Sequence, residues 1–325
     1  MVILGKKDTV TKKYMEDNAT FADVFNFLIY DGRQVIKPEQ LKAVDTTEVA
    51  LPYGGKNQLV PIQKLRDVAK LVVAMEDENA AYCLLAVENQ SEIHEAMPPK
   101  NMLYDALDYV TQVEDIAKAH LENGDKPRTS SNYLSGFYRS DKLLPVITLT
   151  LYFGASKWDA PKSIHEMLSV QNEELLRFVP DYRINLISPA DIADEDFSKF
   201  HTELSLVLKY IKYSKNKKKL RQIVQEDSAF TTVSRRTADM IKIVTESNHL
   251  HYNDGEERVN MCEAIEGIRN DALAEGKAEG REEGRIEGIL STLSDLVKKG
   301  LLTLTQAAEQ ANMSVSEFET KAGLR

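Results

Sequence analysis

The chain has 325 residues, 42% of them hydrophobic, and a formal net charge of −10. That is enough apolar material for one large domain and one or two smaller ones, and it excludes disorder throughout. Its two cysteines, Cys83 and Cys262, lie far apart with no charged-then-apolar leader, so neither a disulfide framework nor secretion is expected and the cytoplasm is the predicted compartment. The acidic sum argues against a surface that is basic everywhere, yet it leaves room for a local basic face.

In chain order, Tyr14, Phe21, Val24, Phe25 and Leu28 recur at three- and four-residue steps. They predict one amphipathic helix over 8–30, or two short ones, closed by Asp31-Gly32. A polar region through Pro38, Pro52, Gly54 and Gly55 predicts short extended pieces around a site. Runs at 68–75 and 82–87, parted by Glu76-Asp77-Glu78-Asn79, predict an antiparallel hairpin. A helix follows over 93–120, with Met102, Leu103, Leu107, Val110, Val113 and Ile116 expected on one side. The apolar run 143–155 is too short for a bilayer and is punctuated by Pro145, Thr148 and Thr150, so it predicts a buried strand joining the hairpin, an α/β order with no membrane span.

Beyond 191 the helical period returns at 197–213, 217–224 and 234–247. Glu-Gly then recurs at 275/276, 279/280, 283/284 and 287/288. Each helical glycine costs about 1 kcal/mol against alanine, so this is a marginal helix or one packed closely along its glycine stripe. Gly300 ends a helix over 289–299, and Thr303 with Gln306, then Ser314 with Glu317, have capping-box spacing. Two short helices joined at Asn312-Met313 are helix-turn-helix-like.

Glu88 and Gln90 are two apart at the end of the second hairpin strand and so share a face. Asp67 starts the adjoining strand, where antiparallel pairing brings it alongside. Two carboxylates and one neutral hydrogen-bonding group would converge. Hard oxygen ligands of this kind suit Mg²⁺ or another divalent cation, which takes one or two carboxylates and completes its shell with water and phosphate. A lone strand-end acid is ordinarily a solvated surface group; the set of three is what predicts a metal site.

The ordered set Arg66-Asp67, Ala86-Val87-Glu88-Asn89-Gln90-Ser91, a helix around Tyr104, and Leu144-Pro145-Val146-Ile147-Thr148-Leu149-Thr150-Leu151-Tyr152-Phe153-Gly154 resembles the Rpn family, recombination-promoting nucleases with transposase-like members, within the PD-(D/E)XK superfamily. Phe21-Ala22-Asp23-Val24-Phe25-Asn26 and the Glu-Gly repeat fit it too, so the resemblance spans roughly 8–288. It implies an α/β, restriction-endonuclease-like core with a mixed central sheet flanked by helices, plus an α-helical C-terminal region. It implies metal-dependent cleavage of DNA, with Asp67 and Glu88 as metal ligands, the Asn89 carbonyl as a further oxygen, and Asp23 as a possible supporting acid. Gln90 stands where the superfamily usually has Lys, bringing hydrogen bonds but no charge. Links to recombination, mobile elements or defence against foreign DNA are implied as well.

The domains expected are a nuclease-like core over 1–190, a helical region over 191–265, a Glu-Gly linker helix over 266–290 and a small helical module over 291–325. Between 209 and 221 lie seven basic residues and no acid: Lys209, Lys212, Lys215, Lys217, Lys218, Lys219 and Arg221, the candidate phosphate contacts. A solvated helix end is the competing reading. The six histidines show no ligand spacing and receive no role. DNA and a second copy of the chain, as homodimer or higher oligomer, are the expected partners. The alternative function, kept open by Gln90, is a catalytically weak or inactive regulatory protein that binds DNA or oligomerises.

Overall fold

The computed structural model describes residues 5–43, 49–50, 62–63, 67–74, 81–126, 134–248, 250–253 and 255–323; of these, 49–50, 62–63, 71–74, 81–84, 266–279 and 282–283 are described by backbone alone. Pro52, Gly54, Gly55, Arg66, His249 and the Glu76-Asp77-Glu78-Asn79 turn lie outside the described residues.

The first helical stretch is two helices, α1 (Lys6–Met15) and α2 (Asn18–Tyr30). Asp17 starts the second, its carboxylate accepting from the Thr20 N–H and hydroxyl, both at 2.8 Å. Asp31 and Gly32 close it with φ of 53° and 87°. A Cβ at Gly32 would meet the Lys199 carbonyl oxygen at 2.8 Å, so glycine is required there. Buried Asn26 then holds the returning chain, bonding both the N–H and the carbonyl of Ile36 at 2.8 Å.

Short strands β1 (Leu41–Ala43), β2 (Val49–Ala50) and β3 (Ile62–Gln63) lead to β4 (Val68–Ala74) and β5 (Ala81–Gln90), which pair antiparallel as the hairpin spacing predicts. Helix α3 (Met97–Glu122) makes the crossover to β6 (Val146–Tyr152), which lies parallel to β5, and β7 (Asn185–Ile187) pairs parallel beyond it. The result is a five-stranded mixed sheet in the order β1-β4-β5-β6-β7, with β2 and β3 paired separately. Leu85 and Val87 of β5 and Leu149 and Leu151 of β6 are buried.

The face of α3 differs from expectation. Met102 and Leu103 are exposed, while Asn101, Asp105 and Asp108 are buried. The reason is a polar seam between α3 and β6: the Asn101 amide donates to Thr150 Oγ1 at 2.9 Å, and Asp105 accepts from the Thr148 hydroxyl and, at 2.6 Å, from the Tyr182 hydroxyl. With the Asn101 N–H and the Asp105 carboxylate satisfied in this way, polar side chains replace apolar ones against the sheet, although Asn101 Oδ1 is buried with no hydrogen-bond partner among the described residues.

After a short 3₁₀ turn (Glu195–Lys199), α4 (Leu204–Tyr213) buries Leu204, Leu206, Val207, Leu208, Tyr210 and Ile211, a broad apolar face, with Ser205, Lys209 and Lys212 half-buried on the other side. Helix α5 (Lys217–Glu226), a two-stranded pair of β8 (Val233–Ser234) with β9 (Arg258–Val259), and α6 (Arg235–Val244) complete this region. Helix α6 fixes α1: Tyr14 Oη and Thr237 Oγ1 share a buried 2.9 Å hydrogen bond, and the Arg236 guanidinium lies 4.4 Å from the Tyr14 ring centre.

The chain divides into two compact units, Met1–Asn248 with Tyr252–Cys262, and His249–His251 with Glu263–Arg325. Helix α7 (Met261–Lys298) runs into the second, which ends in α8 (Leu304–Gln310) and α9 (Val315–Lys321) around Leu290, Ala307, Ala308 and Phe318. Thr303 and Gln306 form a reciprocal capping box and Ser314 caps α9, as the spacing predicts. Around Gly280, Gly284 and Gly288 a Cβ would meet nothing within 4 Å, so these glycines are not packed closely. Among the described residues no helix is long and apolar enough to cross a membrane.

One histidine has a structural task. His120 Nδ1 lies 2.7 Å from Asp125 and its Nε2 lies 2.9 Å from Asp141, with the ring stacked on Tyr138 at 3.9 Å. Both partners are acceptors, so both ring nitrogens must donate, which requires the imidazolium. The hydrogen bonds to Asp125 and Asp141 raise the His120 pKa above 6.5, while the Tyr138 N–H leads the causes that hold Asp141 below 3.8. The His120 contribution is therefore full below about pH 6.5, the unfolded value, and is lost as pH rises through the raised folded value. The Asp141 contribution is present above about pH 4 and is lost as pH falls through its lowered value. The difference in Tm between wild type and His120→Asn is expected to be largest between about pH 4 and pH 6.5 and to shrink toward alkaline pH; a difference independent of pH would show that the clamp carries no charge.

Candidate active site

Asp67 immediately precedes Val68, which pairs with Val87, so Asp67 falls opposite Glu88 at the end of the hairpin. Its Oδ2 accepts from the Asn89 N–H at 2.8 Å, which fixes the carboxylate against β5. Burial raises the Asp67 pKa, and nearby Asp8 adds to the rise. The Asn89 N–H and the charges of Lys100 and Lys12 oppose it. Glu88 is 1% exposed and aligns with Thr150 across the parallel pair.

Lys100, from the first turn of α3, places Nζ 3.0 Å from Glu88 Oε2. Burial pulls the Lys100 pKa down, but the Glu88 charge and hydrogen bond, with Tyr104 and Asp67 behind them, leave it raised, so the ammonium is retained. Gln90 is half-buried at the strand end, where its carbonyl accepts from the Phe153 N–H at 2.8 Å. Asn89 is 6% exposed, and among the described residues its carboxamide has no hydrogen-bond partner. Asp67, Asn89, Gln90, Lys100, Asp8 and Ser91 all line one open cavity of about 300 Å³.

The expected trio therefore occupies one end of the hairpin, and two residues that the sequence reading omitted join it. Lys100 is one. Asp8 is the other; it accepts from the Ser91 hydroxyl at 3.1 Å, so the acid that α1 and α2 bring to this cavity is on α1. Asp23 is elsewhere. It is buried in α2, accepting from the backbone N–H groups of His201 and Thr202 at 2.8–3.0 Å and from the Thr202 hydroxyl at 2.6 Å. It ties α2 to the segment before α4.

The basic stretch is partly committed to the fold. Lys209 pairs with Asp227 at 2.6 Å, Lys212 with Asp194 at 2.7 Å, and Lys215 donates to Ser156 Oγ at 2.8 Å. Lys219 is half-buried 6.0 Å from the Tyr213 ring, while Lys217, Lys218 and Arg221 are exposed on α5. Among the described residues no group of three or more His, Cys, Asp or Glu side chains is placed to hold a metal ion. Two carboxylates opposite one another, Asp67 half-buried on the cavity lining and Glu88 buried behind it and paired with the Lys100 ammonium, nevertheless fit a hard divalent cation that keeps much of its water.

Fold and site together define a mixed α/β protein with an acidic cleft at the end of its central hairpin. The chain belongs to the family described as "Putative transposase, YhgA-like", which matches residues 71–239, just over half of its length and including Glu88, Asn89, Gln90 and Lys100. No curated protein and no solved structure matches it.

Proposed function

We propose that the chain is a Mg²⁺-dependent endonuclease with a PD-(D/E)XK core, hydrolysing DNA phosphodiesters in the cytoplasm. The observation that carries this reading is the meeting of Asp67, the Glu88–Lys100 pair and Gln90 at one end of β4 and β5. Family membership supports it by placing the chain among transposase-like proteins.

Asp67 and Glu88 would hold the cation, with the Asn89 carbonyl as a further oxygen. Once bound, Mg²⁺ supplies an activated water and stabilises the leaving oxygen. Lys100 supplies the positive charge that Gln90 lacks, within reach of a phosphate in the cavity, and the Gln90 carboxamide orients water or a phosphate oxygen by neutral hydrogen bonds. Cutting both strands takes two such sites, hence a dimer or higher oligomer. Purified protein is expected to nick or linearise supercoiled plasmid with Mg²⁺ and to leave it intact in EDTA. Plasmid that is bound but stays intact with Mg²⁺ would point instead to a regulatory DNA-binding protein.

The exposed part of the basic stretch is proposed as a peripheral contact. Neutralising Lys217, Lys218 and Arg221 should weaken DNA binding equally across sequences and flatten its salt dependence by roughly one unit of slope for each phosphate left without its cation. Unchanged affinity and slope would make α5 a solvated helix end.

A further inference from the structure

We infer that a groove along α1 carries the phosphate backbone of the nucleic acid beside the scissile bond, with Lys6 and Lys12 as its contacts; this rests on the nuclease reading above. The cavity at Asp67 does not end at Asp8 and Ser91. Those two residues, bonded to each other, also wall a second cleft of about 350 Å³ whose lining includes Gly5, Lys6, Lys7 and Asn248.

Helix α1 carries Lys6, Lys7, Lys12 and Lys13 against one acid, Asp8, in a chain whose net charge is −10. Lys7 is engaged, 2.8 Å from Glu246. Among the described residues no carboxylate forms an ion pair with Lys6 or Lys12. Lys12 lies one turn beyond Asp8 on the same side of the helix, close enough to Asp67 for its charge to stabilise that carboxylate. Lys6 lines the second cleft. Of the acids along this path Glu246 is neutralised by Lys7, while Asp8, which accepts from Ser91, keeps its charge and lies with Asp67 and Glu92 on the lining.

Six residues at 1.5 Å rise put Lys6 and Lys12 roughly 9 Å apart along the axis and about 120° apart around it, so a strand touching both crosses α1 obliquely. The axial distance spans roughly two to three nucleotides at 3.4 Å per strand step. A polyanion with regularly spaced charge, led away from the acidic centre, is the ligand this arrangement fits. Phosphate contacts of this kind position the strand and carry no sequence information.

The test is the binding of a fluorescein-labelled 20-base-pair duplex in Ca²⁺ across a salt series, read by anisotropy. In Lys6→Gln/Lys12→Gln protein, Kd is expected to rise about tenfold or more, and the slope of log K against log salt to fall by roughly two, about one per lysine. Lys6→Arg/Lys12→Arg should keep both. Equal affinity and slope in the folded glutamine variant overturn the inference, as does loss of binding in the arginine variant, which keeps the charge. Mg²⁺ titration and plasmid cleavage by the wild type separate the two readings. A wild type that binds Mg²⁺ and cleaves while the lysines prove silent defeats the groove alone; a wild type that neither binds Mg²⁺ nor cleaves defeats the nuclease reading and the groove with it.

Discussion

Alanine at Asp67 is expected to lower Mg²⁺-dependent plasmid cleavage by about 10³-fold or more, the upper end of what one positioned polar group supplies in a catalytic site. Glutamine at Glu88 should do the same. Each change removes a charged oxygen ligand, so metal affinity and water activation fall together. The fold should survive. The carboxylate of Asp67 is held against its preference for solvent, and its deletion leaves one N–H, that of Asn89, to find another partner at a cost of about 1 kcal/mol. Glutamine is the better choice at the other position because Glu88 is buried and paired. Alanine there would strand the Lys100 ammonium, whereas glutamine leaves it an acceptor oxygen. Both variants should melt within a few degrees of the wild type while Mg²⁺ binding weakens in a calorimetric titration. Cleavage that persists in both, in protein freed of contaminating nuclease, would place the chemistry elsewhere in the chain.

The parts of this site that were legible in the sequence are those set by strand alternation and local spacing. A two-residue repeat puts Glu88 and Gln90 on one face, and the hairpin brings Asp67 to them; both follow from neighbours in the chain. The capping box at Thr303 and the Ser314 cap were readable for the same reason, although among the described residues Glu317 does not return a bond to close a second box. Lys100 and Asp8 were not. Lys100 enters because α3 starts close behind the end of β5, and Asp8 because Tyr14 and Thr237, 223 residues apart, fix the position of α1. Asp23 was offered as a supporting acid by the family resemblance, but its role is set by the N–H groups of His201 and Thr202, far along the chain. The first turns of α3 were misread because apolar Met102 and Leu103 were assumed to face inward, as Leu107 does. Asn101 and Asp105 face inward instead, since β6 offers Thr148 and Thr150 as partners. Binary patterning has no term for a polar residue whose partner is also polar. The misread helix is the one that delivers Lys100 to Glu88, so the local rule fails beside the candidate site.

If Lys100 supplies the charge that Gln90 lacks, moving that charge between the two positions should move activity with it. Lys100→Gln is expected to lower cleavage about 10²–10³-fold, the scale of one positioned electrostatic stabiliser in a catalytic site. Gln90→Ala should cost less, because a neutral carboxamide brings only oriented hydrogen bonds. Gln90→Lys in the wild-type background should preserve or raise cleavage. The decisive variant is Gln90→Lys/Lys100→Gln, since both positions line the same cavity and a lysine at the end of β5 would set an ammonium beside the same phosphate. It should recover at least about tenfold over Lys100→Gln alone and beyond any gain that Gln90→Lys gives in the wild-type background, a coupling of roughly 1.4 kcal/mol. A structural ion pair gives a different pattern. Breaking the Glu88–Lys100 pair would then lower Tm through the buried carboxylate left behind, while turnover per folded molecule stayed at the wild-type value. Melting curves and turnover measured on the same preparations at a temperature where every variant is folded distinguish the two. A drop in Tm with unchanged turnover, or a double variant no better than Lys100→Gln, would reduce Lys100 to a brace for Glu88.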